Sequence, residues 1–375
     1  MRILDRYILK KFLLPFGYSF IGFIAIWFIF DLSDNLQDFL GGKAPPSVLL
    51  EYYLSQIPQI ILISLPISTL LALLYSLTAM SRTNEIISML GAGVSVRRLL
   101  MPLFGVGLVL VGISAIFNYE SAPHAEMIKK QMLKDIKRGQ KKEPGLSAHL
   151  YRNRENHRIW FMRRILPNQN NLSDVQVLQQ DDKANIIEEW AARKALWDPN
   201  TSNWLFQRVK HITMDTEGNI LLSEFLEEIV IPGWTETPWR IASSVMNPNY
   251  LSVPELQEYL HFNRDFTQTR LAPYRTQLEY RWALPWVCLL VIFIAAPLGI
   301  VYSRRGILGG VATAIGLFFA VVFFSNLFIA LGKGNRISPI VAAWGPLVFF
   351  LGVGCLLLWY RSTNRDLPKI KLPWS

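Results

Sequence analysis

The chain is poor in the residues that most enzyme chemistry needs. Only two of its 375 residues are cysteine, Cys288 and Cys355, and both sit inside apolar runs, where a thiol behaves as a small hydrophobe. No disulfide framework, CxxC pair or Cys/His metal spacing is readable. The five histidines, His124, His149, His157, His211 and His261, are scattered, so ordinary surface or sheet roles are expected of them and no metal site. GxxxxGK[ST], GxSxG and HExxH are all missing. Acidic doublets such as Glu188-Glu189 and Glu227-Glu228 fall in strand-like sequence, where neighbours point to opposite faces. Neither a catalytic residue nor a cofactor is expected.

Charge is the next scarcity. It is absent from long stretches, although the chain carries a net +10 and is 51% hydrophobic. That unevenness marks a membrane protein with a polar insert rather than one globular domain. Basic residues gather beside the apolar runs, where anionic lipid accounts for them, so no nucleic-acid partner is expected. Six runs reach the ~20 residues that a bilayer requires: near Phe12–Phe30, Leu54–Ala79, Leu99–Phe117, Trp282–Tyr302, Ile307–Leu331 and Ile340–Tyr360. The N-terminus is basic then apolar, like a signal peptide. Its run is longer than a signal core, however, and DLSDNLQD follows it instead of a cleavage site, so we read it as a retained span. Gln56, Pro58, Gln59 and Pro66 in the second run predict a kink or packing against protein. With Ser325-Asn326 the main polar feature of the fifth, the spans offer no ion relay, which argues against an ion-driven transporter.

Lysine and arginine in the short connections set the orientation. Arg2, Arg6, Lys10, Lys11, Arg82, Arg97, Arg98, Arg304, Arg305, Arg361, Arg365, Lys369 and Lys371 fall on one side, against Lys43, Lys333 and Arg336 on the other. Both termini are therefore expected in the cytoplasm. The organisation expected is residues 1–118 with three spans, an external domain over 119–281, and 282–375 with three more spans and a tail. In the insert, His124 to Gln140 reads as a charged helix continuing the third span. From about 146 to 234 strand-like segments alternate with turn chemistry at Pro167-Asn168, Asp181-Asp182, Asp198-Pro199-Asn200 and Glu217-Gly218-Asn219. Several strands without intervening helices predict an antiparallel β-sandwich or jelly roll. Ser252-Val253-Pro254-Glu255 is a capping box that opens a helix toward the fourth span.

Two places stand out. Ser81 to Arg98, SRTNEIISMLGAGVSVRR, is a polar interruption between the second and third runs. A helix is expected over about 81–93, with Ser81 or Thr83 as N-cap, Glu85 in its first turn, Gly91 and Gly93 as stops, and Ile86, Met89 and Leu90 as one apolar stripe. So short a helix is marginal alone and should rest against a membrane surface or a partner. The second place is the outer boundary, where Lys43, Arg275, Arg281, Lys333 and Arg336 suit phosphates of an outer-leaflet lipid; interfacial snorkelling would use the same residues.

The LDRYI before the first span, the NEIISMLGAG after the second, Ala122-Pro123 after the third and the Pro285 region opening the fourth together resemble the lipopolysaccharide-export permeases of the LptF/LptG (YjgP/YjgQ) type. So does the order of three spans, β-rich insert and three spans over essentially the whole chain. The resemblance implies a polytopic helical protein of the bacterial inner membrane, with six transmembrane helices, N-in and C-in, and an inserted periplasmic jelly roll. It implies a half-transporter that pairs with a homologous permease and a cytoplasmic ABC-type ATPase dimer. The assembly would pass lipopolysaccharide to periplasmic β-jelly-roll bridge proteins. It assigns the loop around Glu85, Ile86, Met89 and Leu90 to ATPase coupling. A dry track for acyl chains could use Trp160, Val175, Val177, Trp190, Trp204 and Phe206, residues that an ordinary β-core would also use. The chain departs from the family at the outer end of the first span, where Asp31, Asp34 and Asp38 stand in place of phosphate-facing lysines. A permease for another envelope lipid or lipoprotein, and a membrane-anchored periplasmic binding protein, are the competing readings.

Overall fold

A computed structural model describes residues 3–138, 146–153, 155–166, 170–243, 247–264, 266–300 and 307–362. It divides into two compact units, one of residues 1–137, 248–257 and 268–375, the other of 138–247 and 258–267. The helices are α1 (Ile3–Gly41), α2 (Pro46–Arg82), α3 (Glu85–Gly91), α4 (Val96–Ile116), α5 (Ala122–Arg138), α6 (Pro238–Ser243), α7 (Val253–Phe262), α8 (Gln268–Ala283), α9 (Val287–Gly299), α10 (Ile307–Lys333) and α11 (Pro339–Ser362). The strands are β1 (Leu146–Asn153), β2 (Arg158–Leu166), β3 (Asn171–Gln180), β4 (Ile186–Asp198), β5 (Asn203–Met214) and β6 (Ile220–Ile231).

In the first unit, six stretches are long and apolar enough to cross a membrane: α1, α2, α4 running into α5, α8 running into α9, α10 and α11. These are the six expected spans. The join between α4 and α5 is a π-helical turn, Phe117–Ser121. That between α8 and α9 is a 3₁₀ turn, Leu284–Trp286, where Pro285 occupies a first-turn position that needs no amide donor. In α2 and in α8–α9, 67% of the apolar window is buried, against 6% in α1. The bundle is therefore built on α2 and α9, and α1 lies at its rim. Packing against protein explains why α2 tolerates Pro58, Pro66 and Gln56, which is 1% exposed and donates to the Tyr52 carbonyl. Close approach fixes Gly354, where an added Cβ would stand 2.9 Å from the Cβ of Phe293 and 3.0 Å from its backbone. The capping box is as expected: Glu255 accepts from the Ser252 amide, and the Ser252 hydroxyl faces the Glu255 amide.

In the second unit the six strands form one antiparallel sheet in chain order. The expected antiparallel insert is present, and its sandwich character arises by curling of this one sheet rather than by crossing connections between two. Trp160 on β2 and Trp204 on β5 have ring centroids 5.2 Å apart, although three strand spacings of about 4.8 Å separate their strands. A crease across the sheet accompanies the curl. Buried positions step by three at one row, from Leu172 to Val175, Ala192 to Ala195 and Phe206 to Val209, and these residues pair across the strands in register. An extra residue in each strand keeps the inner face apolar through the bend, as a bulge does. Asp174 and Arg208, in that row, take the left-handed conformation at φ 50° and 53°. Hairpins β3–β4 and β5–β6 close on the same device. Asp181 and Asp215 each accept from the amides two and four residues on and from the Asn185 or Asn219 side chain. Backbone and side-chain donors from those asparagines hold both carboxyls below their ordinary range.

Candidate coupling and lipid-contact sites

The polar interruption folds differently at its start from the helix expected there. Ser81 belongs to the last turn of α2, its hydroxyl directed at the Gly299 carbonyl 3.4 Å away, and the Thr83 hydroxyl donates back to Ala79. Neither caps α3. The chain turns instead at Asn84, whose left-handed φ of 61° lets α3 begin at Glu85; asparagine tolerates that region better than most residues. The stop is as expected. Gly93 at φ 84° closes a Schellman motif, with its amide bonded to Leu90 O and that of Val94 to Met89 O.

The expected apolar stripe faces inward. Ile86 is 1% exposed in a core shared with Ile8, Phe12, Met80, Val96 and Leu99, and Met89 and Leu90 pack against the same core. Ile87, at 41%, and Ser88 form the outer face. Glu85 accepts a 2.8 Å hydrogen bond from Tyr7 and stands 3.7 Å from Lys11. The residues that sequence reasoning missed here are Tyr7 and Ile87.

At the opposite ends of the spans, Arg281 and Lys333 come together on Asn249. Arg281 donates to the Asn249 carbonyl and Lys333 to its side-chain oxygen. Asn118, in the π turn, accepts from Arg281 at 3.0 Å and donates back to its carbonyl. Arg281 is 8% exposed and Lys333 half-buried. Among the described residues the hydrogen-bond partners of these two cations are the neutral amides of Asn118 and Asn249. Around them, Lys130 bonds to the Tyr250 hydroxyl and His124 lies 3.0 Å from Glu255. Burial pushes the Glu255 carboxyl up, but bonds from His124 and Ser252 outweigh it and leave it below its ordinary range. Arg275 bonds to Gln268, while Lys43 and Arg336 are exposed. The acidic residues of α1 are partly accounted for: Asp31 pairs with Lys129 and accepts from Tyr52, and Asp38 pairs with Lys137 at 3.0 Å. Asn118 and Asn249 carried no signal in the sequence, because an uncharged amide is ordinary until its partners are known.

The six residues considered for an acyl-chain track line the inside of the curled sheet. Trp160, Val177, Trp204 and Phe206 are 0% exposed, Val175 2%, and Trp190 is half-buried. Trp234 fills the space between them, 5.3 Å from the rings of Trp160 and Trp190 and 5.7 Å from Phe206. A buried ion pair closes this interior. Glu236, 0% exposed, stands 3.2 Å from Arg158 and accepts at 2.7 Å from Asn153, and the Arg158 guanidinium lies 4.6 Å over Trp234. Burial lowers the Arg158 pKa, against the pull of Glu236. At the sheet's edge, β6 exposes Ile220, Leu221, Leu222, Phe225 and Val230, each at least half exposed. Among the described residues no group of histidine, cysteine and carboxylate side chains is placed to hold a metal ion.

The family model for the lipopolysaccharide export system permease LptF/LptG matches residues 6–360. No curated protein matches the chain.

Proposed function

Starting from the fact that this chain belongs to the lipopolysaccharide export system permease LptF/LptG family, a family of transport permeases, we propose that it is one half of a lipid-exporting pore driven by a separate ATPase. The match over residues 6–360 carries the reading. A homologous permease forms the other half, and an ABC-type ATPase dimer binds on the cytoplasmic side, where both termini and α3 lie by the charge of the connections. The protein sits in the bacterial inner membrane with its β unit in the periplasm. Lipopolysaccharide or a closely related lipid is the cargo, taken from the outer leaflet and passed to periplasmic β-jelly-roll proteins.

Each step of the cycle has residues suited to it. Glu85, Met89 and Leu90 form the handle with Ile87 and Ser88 as its outward face, while Ile86 anchors it. ATP-driven closure of the motor moves the handle and narrows the cavity between the two permeases. Lys333 and Arg336, with Lys43 and Arg275 nearby in the outer boundary, meet the lipid phosphates. Arg281 adds field from a buried position, since two cations held on a neutral asparagine favour an anion beside them. Acyl chains would use the face that holds Trp160, Val175, Val177, Trp190, Trp204 and Phe206 once Trp234, which fills it here, is displaced, and the exposed edge of β6 suits strand addition by the next carrier.

Site-specific photocrosslinking at Ile87 in the membrane-embedded complex tests this reading. Capture of an ABC-type ATPase is expected. Capture of lipid alone, with the chain inserted and expressed, would return Ser81 to Arg98 to a simple turn.

A further inference from the structure

The LDRY segment at the start of α1 has no part in the cycle described above, yet α1 side chains there reach both the start of the handle α3 and the first turn of α4 that follows it. Arg98, in the first turn of α4, places Nη2 2.8 Å from Oδ1 of Asp5 and 3.0 Å from Oδ2. Tyr7 donates to Glu85 at 2.8 Å, and Lys11, one turn further on, stands 3.7 Å from the same carboxylate. Between these ties Ile8 and Phe12, 2% and 1% exposed, share a core with Ile86 and Val96. Residues 5, 8 and 12 recur at helical spacing, so one side of α1 presents an ionic contact and an apolar seam to the handle and the start of α4 together.

The two kinds of contact do different things. Apolar packing holds α1 and α3 close but allows sliding, whereas charge-assisted bonds are directional and fix the register. The Asp5 side chain is 13% exposed and that of Arg98 31%, so water screens this pair less than a surface pair. Of the six spans, α1 buries the smallest share of its apolar stretch within the chain.

We propose that Asp5 and Arg98, with Tyr7 on Glu85 as a second tie, are positioning residues that make α1 move with the handle. Displacement of the handle then reaches the first span directly, rather than only through the chain connections to α2 and α4. This inference rests on the handle being the ATPase contact proposed above.

The test uses the complete permease and ATPase complex in liposomes, with ATP hydrolysis and lipid delivered to an acceptor measured in one sample. Asp5→Arg and Arg98→Asp are each expected to lower lipid moved per ATP by on the order of five- to tenfold, the scale of coupling between sites. The double variant, which restores the pair with its charges exchanged, is expected to recover most of that ratio. A purely structural role lowers hydrolysis and delivery together and leaves the ratio unchanged; that result, or a double variant no better than the singles, overturns the proposal. Asp5→Asn and Tyr7→Phe remove the ties with almost no change of shape, so if the reversals do not assemble, an unchanged ratio in both of these overturns it as well. Capture of the ATPase at Ile87 with unchanged ratios sinks the tie alone, whereas failure of capture sinks the handle and the tie with it.

Discussion

Tyr7 and Glu85, 78 positions apart in the chain, are joined by a 2.8 Å hydrogen bond from the phenol to the carboxylate. The bond brings the start of the first span onto the short helix between the second and third. Glu85 thus has an intramolecular role, holding the handle to α1, in addition to the part proposed for it at the motor.

Reversing that charge should be severe. In Glu85→Lys an ammonium replaces the carboxylate that Tyr7 donates to, 3.7 Å from Lys11. Lipid export is expected to fall at least tenfold while the protein remains inserted and folded, since the side chain is at the surface of the bundle and the core beneath it is intact. Export assayed in cells, with membrane insertion checked by protease accessibility, decides it. Wild-type export with normal ATPase copurification would exclude a coupling role for Glu85.

Adjacent isoleucines should separate folding from docking. Ile86, 1% exposed, loses packing when truncated, and Ile86→Ala is expected to destabilise the helical unit by roughly 2 kcal/mol or more. Ile87, 41% exposed, has little packing to lose within the chain. Ile87→Ala should leave thermal stability in detergent near wild type and weaken ATPase copurification. Equal behaviour of the two variants in both measurements would show that the outward face of α3 carries no contact.

The sequence made the spans and the β-rich insert legible because both rest on strong, local patterns: about twenty apolar residues without charge, and alternating segments punctuated by Asp-Asp, Asp-Pro-Asn and Glu-Gly-Asn turns. The handle's stop at Gly93 was legible for the same reason. Its start was not, since Ser81 and Thr83 are good capping residues whose local preference lost to the continuation of α2 through Arg82. The inward direction of Ile86 also escaped, because an amphipathic stripe does not say whether its partner is the same chain or another. The curl of the sheet depends on a row of extra residues in register across strands, which no single strand discloses. Asp5, Tyr7, Asn118 and Asn249 acquire roles only through partners far away in the chain.

At the ends of the spans opposite α3, Lys333 and Arg336 offer cationic side chains that are half-buried and exposed respectively. Replacing both with glutamine should weaken capture of a phosphate-bearing lipid by about tenfold at low salt, with a smaller effect as ionic strength rises. ATPase assembly should be spared. Lipid retained by the purified complex, quantified at two salt concentrations, provides the measurement. Loss of lipid and ATPase in equal proportion would indicate a folding defect and remove these residues from the lipid contact.

The interior of the β unit offers the sharpest energetic contrast. In Glu236→Leu, the Arg158 guanidinium, 7% exposed, loses its only carboxylate partner among the described residues while remaining buried over Trp234. An unpaired buried charge costs about 3–5 kcal/mol, whereas replacing both partners with apolar residues is often neutral. Glu236→Leu should therefore lower the unfolding midpoint of the β unit markedly, and adding Arg158→Met should restore most of it. Trp234 lies under the Arg158 guanidinium and the Trp204 indole donates to the Glu236 carbonyl, so their contribution to the fluorescence of the chain's 12 tryptophans reports the transition in the full-length protein. A single variant that unfolds with the wild type would mean that the aromatic packing, and not the ion pair, holds this interior closed.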